Sequence, residues 1–143
     1  MARYTIKQEC RLVPIVIDTD VVSFLYKRDT RAKLYEPHLN DPPFIISFMS
    51  LAEIRRWTLE RSWGEKRREE LEEYLTRYFI LHSDDVMCER WAHAINSSHR
   101  RGRPIAPADA WIAATALLLD CPLVTHNGAH YVGVEGLRVI SES

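Results

Sequence analysis

The chain has 143 residues, a net charge of −1, and 46% hydrophobic and 27% charged residues, the balance of an ordinary water-soluble fold. That length fits one compact domain with a substantial core. It excludes a membrane-spanning design, since no apolar run nears the roughly 20 residues a crossing requires, and a uniformly basic nucleic-acid binder.

Three widely spaced cysteines, Cys10, Cys88 and Cys121, form neither a disulfide framework nor a CxxC metal site. The N-terminus lacks an apolar segment and a small-residue cleavage site, so a cytosolic location is expected. Residues 1–12 show no clear periodicity and read as a lead-in to a single domain over 13–141.

Val13–Ile17 is short, β-branched and apolar throughout, the pattern of a buried parallel strand. Helices are expected over 20–27 and 30–38, followed by the breaker Asn40-Asp-Pro-Pro43. Phe44–Phe48 reads as a second strand. Ser50 with Glu53 three residues later forms a capping-box pattern, which predicts a helix starting there and ending near Ser62. Glu65–Tyr78 is a charged amphipathic helix, its acids and bases placed for i,i+4 pairs such as Arg68–Glu72.

Phe79–Leu81 reads as a short strand, and Ser83 or Asp84 as the cap of a helix reaching His99. Arg100–Ile105 is a loop, and Pro107 suits the first turn of a helix that ends near Leu119. Leu123–Thr125 and Leu137–Ile140 are the remaining strands. Strands alternating with helices predict an α/β fold with a parallel sheet covered on both faces.

In such a sheet, strand carboxyl ends share one edge, where ligands bind. Four pieces of the chain deliver an acid or amide close to that edge: Asp18 after Ile15–Ile17, Glu53 beyond the second strand, Asp109 in the helix opened by Pro107, and Asn127 beyond Leu123–Thr125. Three carboxylates and an amide crowded together suit a hard divalent cation, Mg²⁺ or Mn²⁺. Each residue also has a structural role open to it. Asp18 can cap a helix, Glu53 can complete the capping box, Asp109 can meet a helix dipole, and Asn127-Gly128 can form a turn.

Thr19 and Thr125 lie beside the cluster, where they suit a water or phosphate, or serve only as β-branched residues at strand ends. Arg100, Arg101 and Arg103 form a local basic group suited to phosphate contact. Trp111, two residues past Asp109, is a candidate base-stacking residue; Trp91 reads as core. Val16-Ile-Asp-Thr-Asp-Val21 also resembles the DxD motif of haloacid-dehalogenase-type phosphatases, with Asp18 as nucleophile, Asp20 as acid/base and Ser47 in that family's second motif. The chain lacks that family's later lysine motif.

Val16-Ile-Asp-Thr-Asp-Val-Val-Ser-Phe-Leu25, Ser50-Leu-Ala-Glu-Ile54, Gly102–Leu117 and Leu123-Val-Thr-His-Asn127 together resemble the PIN-domain ribonucleases, and among them the VapC-like toxins of bacterial toxin–antitoxin pairs. The resemblance runs from about Val13 to Ser141, in order and spacing. It implies a PIN-like three-layer fold, with Asp18, Glu53 and Asp109 as ligands of Mg²⁺ or Mn²⁺. Asn127 takes a fourth catalytic place where many relatives carry Asp. The implied activity is metal-assisted hydrolysis of RNA phosphodiester bonds, and the implied partners are an RNA substrate, an antitoxin and a second copy of the chain. An antitoxin would supply Arg or Lys to the carboxylates, with Phe24, Leu25 and Trp57 either lining its groove or serving as core. A non-catalytic PIN module is the competing class.

Overall fold

The computed structural model describes residues 13–143; the lead-in over 1–12 lies outside the described residues. In chain order the elements are β1 (Ile15–Ile17), α1 (Thr19–Lys27), α2 (Ala32–Tyr35), β2 (Phe44–Ser47), α3 (Phe48–Glu60), α4 (Glu65–Leu75), β3 (Phe79–Leu81), α5 (Asp85–Arg100), α6 (Pro107–Leu119), β4 (Leu123–Val124) and β5 (Val139–Ile140). Two 3₁₀ turns, Glu36–His38 and Gly128–Tyr131, complete the described chain.

The five strands form one sheet in the order β3-β2-β1-β4-β5. Every pairing is parallel, with Val16 opposite both Ile45 and Leu123. Successive side chains of a strand point to opposite faces, and the core divides accordingly. Ile17 and Ile46 join Val21, Val22, Tyr35, Ile54, Leu71 and Leu75 on the side of α1–α4. Val16 and Ile45 join Ala94, Ile112, Ala113, Ala116 and Tyr131 on the side of α5 and α6. Both faces are therefore covered, which is why the strands read as continuous apolar runs. This is the three-layer α/β arrangement the sequence predicts.

The chain fills one flank of β1 with β2 and β3, then crosses to the other with β4 and β5. The β1/β4 boundary is the switch point, and the crevice beyond its strand ends is where a ligand fits.

Several local details differ from the sequence expectations. The helix expected over 30–38 divides into α2 and a 3₁₀ turn, where Pro37 cannot donate to a continuing helix. The fourth helix stops at Leu75 rather than Tyr78, and the last strand shrinks to Val139–Ile140. The capping box is absent. Ser47 is the N-cap of α3, its Oγ accepting from Met49 N at 3.0 Å, and Ser50 sits fully buried inside the helix. Glu72 pairs with Arg55 of α3 at 2.9 Å rather than with Arg68, so that pair links two helices.

Gly133 occupies a point of close backbone approach. A Cβ there would overlap the Arg103 carbonyl oxygen and stand 3.0 Å from Ser98 Cα. Backbone cannot swing aside as a side-chain tip can. We expect Gly133→Ala to destabilise the protein by ~1–3 kcal/mol, the usual cost of overpacking, measured by urea unfolding. A midpoint equal to wild type would show that the approach is looser than described.

Candidate active site

Asp18 is the N-cap of α1, directly after β1, and only 5% exposed. Its Oδ1 accepts from Thr19 N at 2.7 Å, while Oδ2 accepts from Thr125 Oγ1 at 2.7 Å and Tyr131 Oη at 2.9 Å. The capping role and the site role are thus filled by the same carboxylate. Tyr131 Oη also lies 3.4 Å from Asp109 Oδ1, so one phenol reaches two acids.

Glu53 lies in the second turn of α3, half-buried, where it has no capping role. Thr19 Oγ1 stands 2.8 Å from Glu53 Oε1 and 2.8 Å from Ser50 Oγ. Asp109 is in the first turn of α6, and His130 Nδ1 lies 3.4 Å from its Oδ2. Asn127 is exposed and donates from Nδ2 to Asp20 Oδ2 at 2.9 Å. Tyr131 links Asp18 to Asp109, while Glu53 is tied to Thr19 and Asn127 to Asp20, the two residues that follow Asp18 at the start of α1.

The sequence reading left two members out of this cluster. Asp20 belongs to it: Oδ2 also accepts from His126 N at 3.0 Å, and Oδ1 from Val21 N at 2.7 Å. Tyr131 is the second, and nothing in its local pattern marks it; only the fold brings it under Asp18. Thr19 and Thr125, open in the sequence either to a water or phosphate or to a plain strand-end role, direct their hydroxyls to Glu53 and Asp18.

The acids share one electric field. Burial, outweighing three hydrogen bonds, pushes the Asp18 carboxyl above its ordinary value, and the Asp109 charge adds to the rise. Burial and then the charge of Asp18 push Asp20 up to about 7. Burial also raises Glu53, reinforced by Asp18 and Asp109. Among the described residues, no Lys or Arg forms an ion pair with any of the four acids.

This donor set fits a hard divalent ion, being all-oxygen, anionic and short of counter-charge. Asp18 retains lone-pair capacity on Oδ1, and Glu53 and Asp109 face the same crevice from α3 and α6. The acids are not drawn into a finished coordination shell: among the described residues, no three His, Cys, Asp or Glu side chains are grouped closely enough to ligate an ion.

The PIN domain family matches residues 15–133. The chain belongs to that family. The ribonuclease VapC1 of Haemophilus influenzae (strain R2866) is 26% identical over 125 residues, covering 86% of this chain and 93% of that protein. VapBC2 from Rickettsia felis, bound to a DNA fragment from its promoter, superposes with a TM-score of 0.77 at 18% identity, covering 90% of this chain and 98% of that one. VapBC-5 from Mycobacterium tuberculosis, a member of the VapBC family of toxin–antitoxin systems, gives a TM-score of 0.67 at 24% identity, covering 91% and 99%. At those identities the two solved structures speak for the fold.

Membership of the PIN family sets the phosphatase alternative aside, and local geometry agrees. Asp20, that reading's acid/base, is tied down by three donors. Ser47, its second motif, is spent as a helix cap.

Around the site, Trp111 is half-buried, stacked on Trp91 at 5.3 Å and edge-on to Phe48 at 5.4 Å. Trp91, expected in the core, is only half-buried, with Nε1 donating to Pro107 O. Arg100, Arg101 and Arg103 are exposed at the end of α5 and in the following loop. Phe24 is buried, its ring covered by Arg31, which settles it as core, whereas Leu25 and Trp57 are half-buried.

The pocket's electrostatics give a pH dependence with a definite sign. Folded protein keeps a proton on Asp20 up to about pH 7, whereas the carboxyl's ordinary value is 3.8. Between these values the folded state binds more protons, so stability falls as pH rises. Asp18 and Glu53 act in the same direction. Metal-stripped protein should therefore unfold at lower urea at about pH 8 than at about pH 5, and Asp20→Asn should flatten that slope. Urea midpoints across this range, with chelator present, check it; a midpoint that rises with pH would contradict the electrostatic account.

Proposed function

We propose that this chain is a divalent-metal-dependent endoribonuclease and the toxin of a toxin–antitoxin pair. The observation that carries the reading is the set of acids at the β1/β4 switch point, without a Lys or Arg ion-pair partner among the described residues, in a chain of the PIN family. The ribonuclease name of its relative supports the substrate class, and the VapBC systems among its fold neighbours support a protein partner.

On this reading Asp18, Glu53 and Asp109 hold Mg²⁺ or Mn²⁺, with Asn127 at the fourth position of the pocket. Such an ion supplies an activated water and offsets charge on the scissile phosphate. The chain's own contribution is placement. Thr125 and Tyr131 fix Asp18, leaving Oδ1 the freer oxygen, and Thr19 holds Glu53. Arg100, Arg101 and Arg103 suit the phosphates of a bound RNA, and the exposed part of Trp111 suits a base. A homodimer belongs to the same reading.

Asp18→Asn and Asp109→Asn keep side-chain shape and remove charge. Each should lower metal-dependent RNA cleavage by more than roughly 100-fold, since even partners one layer outside a metal site cost up to about that much, while circular dichroism stays unchanged. Wild-type cleavage by either purified variant would sink the assignment.

The counter-charge missing from the pocket also suits a partner. We expect the antitoxin to place an Arg or Lys side chain against these carboxylates, because a guanidinium fork matches a carboxylate pair. Half-buried Leu25 and Trp57 lie on the helices it would cross. A crystal structure of the complex with every basic antitoxin side chain remote from Asp18 and Asp109 would rule this out.

A further inference from the structure

Asp20 and Asn127 stand 107 positions apart, and their side chains meet in one polarity only. The amide donates and the carboxylate accepts. Asn127 N donates in turn to Thr125 Oγ1 at 3.1 Å, and that hydroxyl donates to Asp18 at 2.7 Å. The loop after β4 is thus stitched to the start of α1 by donors on one side and two carboxylates on the other. Asn127 is exposed, so the bond to Asp20 is a choice of partner rather than a forced burial.

Three of the four lone pairs on Asp20 are taken by Val21 N, His126 N and Asn127 Nδ2. Asp20 is therefore poorly placed to bind an ion directly, but its carboxyl, once ionised, still adds a negative charge beside the other acids. Asp18 and Asp109 both act on it electrostatically, which places that charge within the same field.

We propose that Asp20 supplies the fourth negative charge of the acidic pocket, and that Asn127 is a positioning residue whose amide fixes that charge in place. Asp20 strengthens ion binding through its field, and residue 127 must be an amide because residue 20 is an acid. The charge then belongs to the pair rather than to either position. This rests on the metal-site reading above and refines it.

The two positions should behave as coupled. Asn127→Asp alone sets two carboxylate oxygens about 2.9 Å apart, with like charges and no donor between them. Asp20→Asn alone keeps a bond and deletes the charge. Asp20→Asn with Asn127→Asp restores both one charge and one amide, although His126 N loses its charged acceptor.

The test is a double-mutant cycle on the full chain stripped of metal, read by thermal melting with and without Mn²⁺ and by calorimetric Mn²⁺ titration. We expect Asn127→Asp to melt lowest without metal and to gain the largest shift on adding Mn²⁺. Asp20→Asn should weaken Mn²⁺ binding several-fold, and the double variant should recover most of that affinity while melting above Asn127→Asp. If Asn127→Asp does not fold, folding of the double variant is itself the rescue.

Additive melting changes, or unchanged Mn²⁺ affinity in Asp20→Asn while wild type still binds Mn²⁺ and cleaves RNA, would overturn the inference and leave the nuclease reading intact. Wild-type protein that neither binds Mn²⁺ nor cleaves RNA in a Mn²⁺-dependent way would overturn both.

Discussion

The Asp18 carboxylate is the constraint on which the site depends. It is nearly buried at the end of the central strand, where an unpaired charge would be very costly. Its cost is met by three donors from separate parts of the fold: the backbone of α1, the Thr125 hydroxyl beyond β4, and the Tyr131 phenol from the second 3₁₀ turn. The same residue's backbone N–H donates to Val124 O at 2.9 Å, extending the β1/β4 ladder past its last pair. One side chain thus fixes the spacing of strand, helix and turn, and the pocket inherits that spacing.

This explains why so short a sheet can hold a defined site. β1 has three residues and β4 only two, too few for the ladder alone to set side-chain positions. The alternation of Val16 and Ile17 to opposite cores anchors β1 in the middle layer. Gly133 lies against the Arg103 backbone two residues after Tyr131, and Tyr131 reaches Asp18 from the turn just before it. Packing supplies the coarse placement and hydrogen bonds to carboxylates supply the fine one.

What was legible in the sequence followed from local chemistry. Short apolar runs marked β1, β2 and β3, and Pro107 suited the first turn of α6, which begins there. Four acidic or amide residues after strands pointed to one sheet edge, because parallel topology forces those ends together. Capping was misjudged at α3 because Ser47 and Ser50 offer the same chemistry three residues apart. Tertiary structure decided between them: Ser50 faces Thr19, and Ser47 is left to cap. Moving the cap also removed the structural explanation for Glu53, whose placement then matters only to the pocket. Tyr131 and the place of Asp20 in the acidic cluster are not legible locally, because their partners lie far along the chain, Asp18 for one and Asn127 for the other. No local spacing records such a contact.

Positive charge in the described chain is directed away from the pocket. Among the described residues, two arginines on this side of the fold have acidic partners outside the pocket. Arg31 lies within the field of Asp20 but forks onto Asp29 through Nε and Nη2 at 3.0 and 2.9 Å. Arg101 faces Glu135 at 3.9 Å. His130 stands 3.4 Å from Asp109 Oδ2 and is exposed. An arginine placed across from Asp18 would quench the acids. Leaving them under-compensated keeps a standing attraction for positive charge from outside. A divalent ion and a basic partner side chain answer that attraction in the same space, so on the proposed reading one excludes the other. The electrostatic deficit that would recruit the ion is then also the handle by which a protein partner would silence the site.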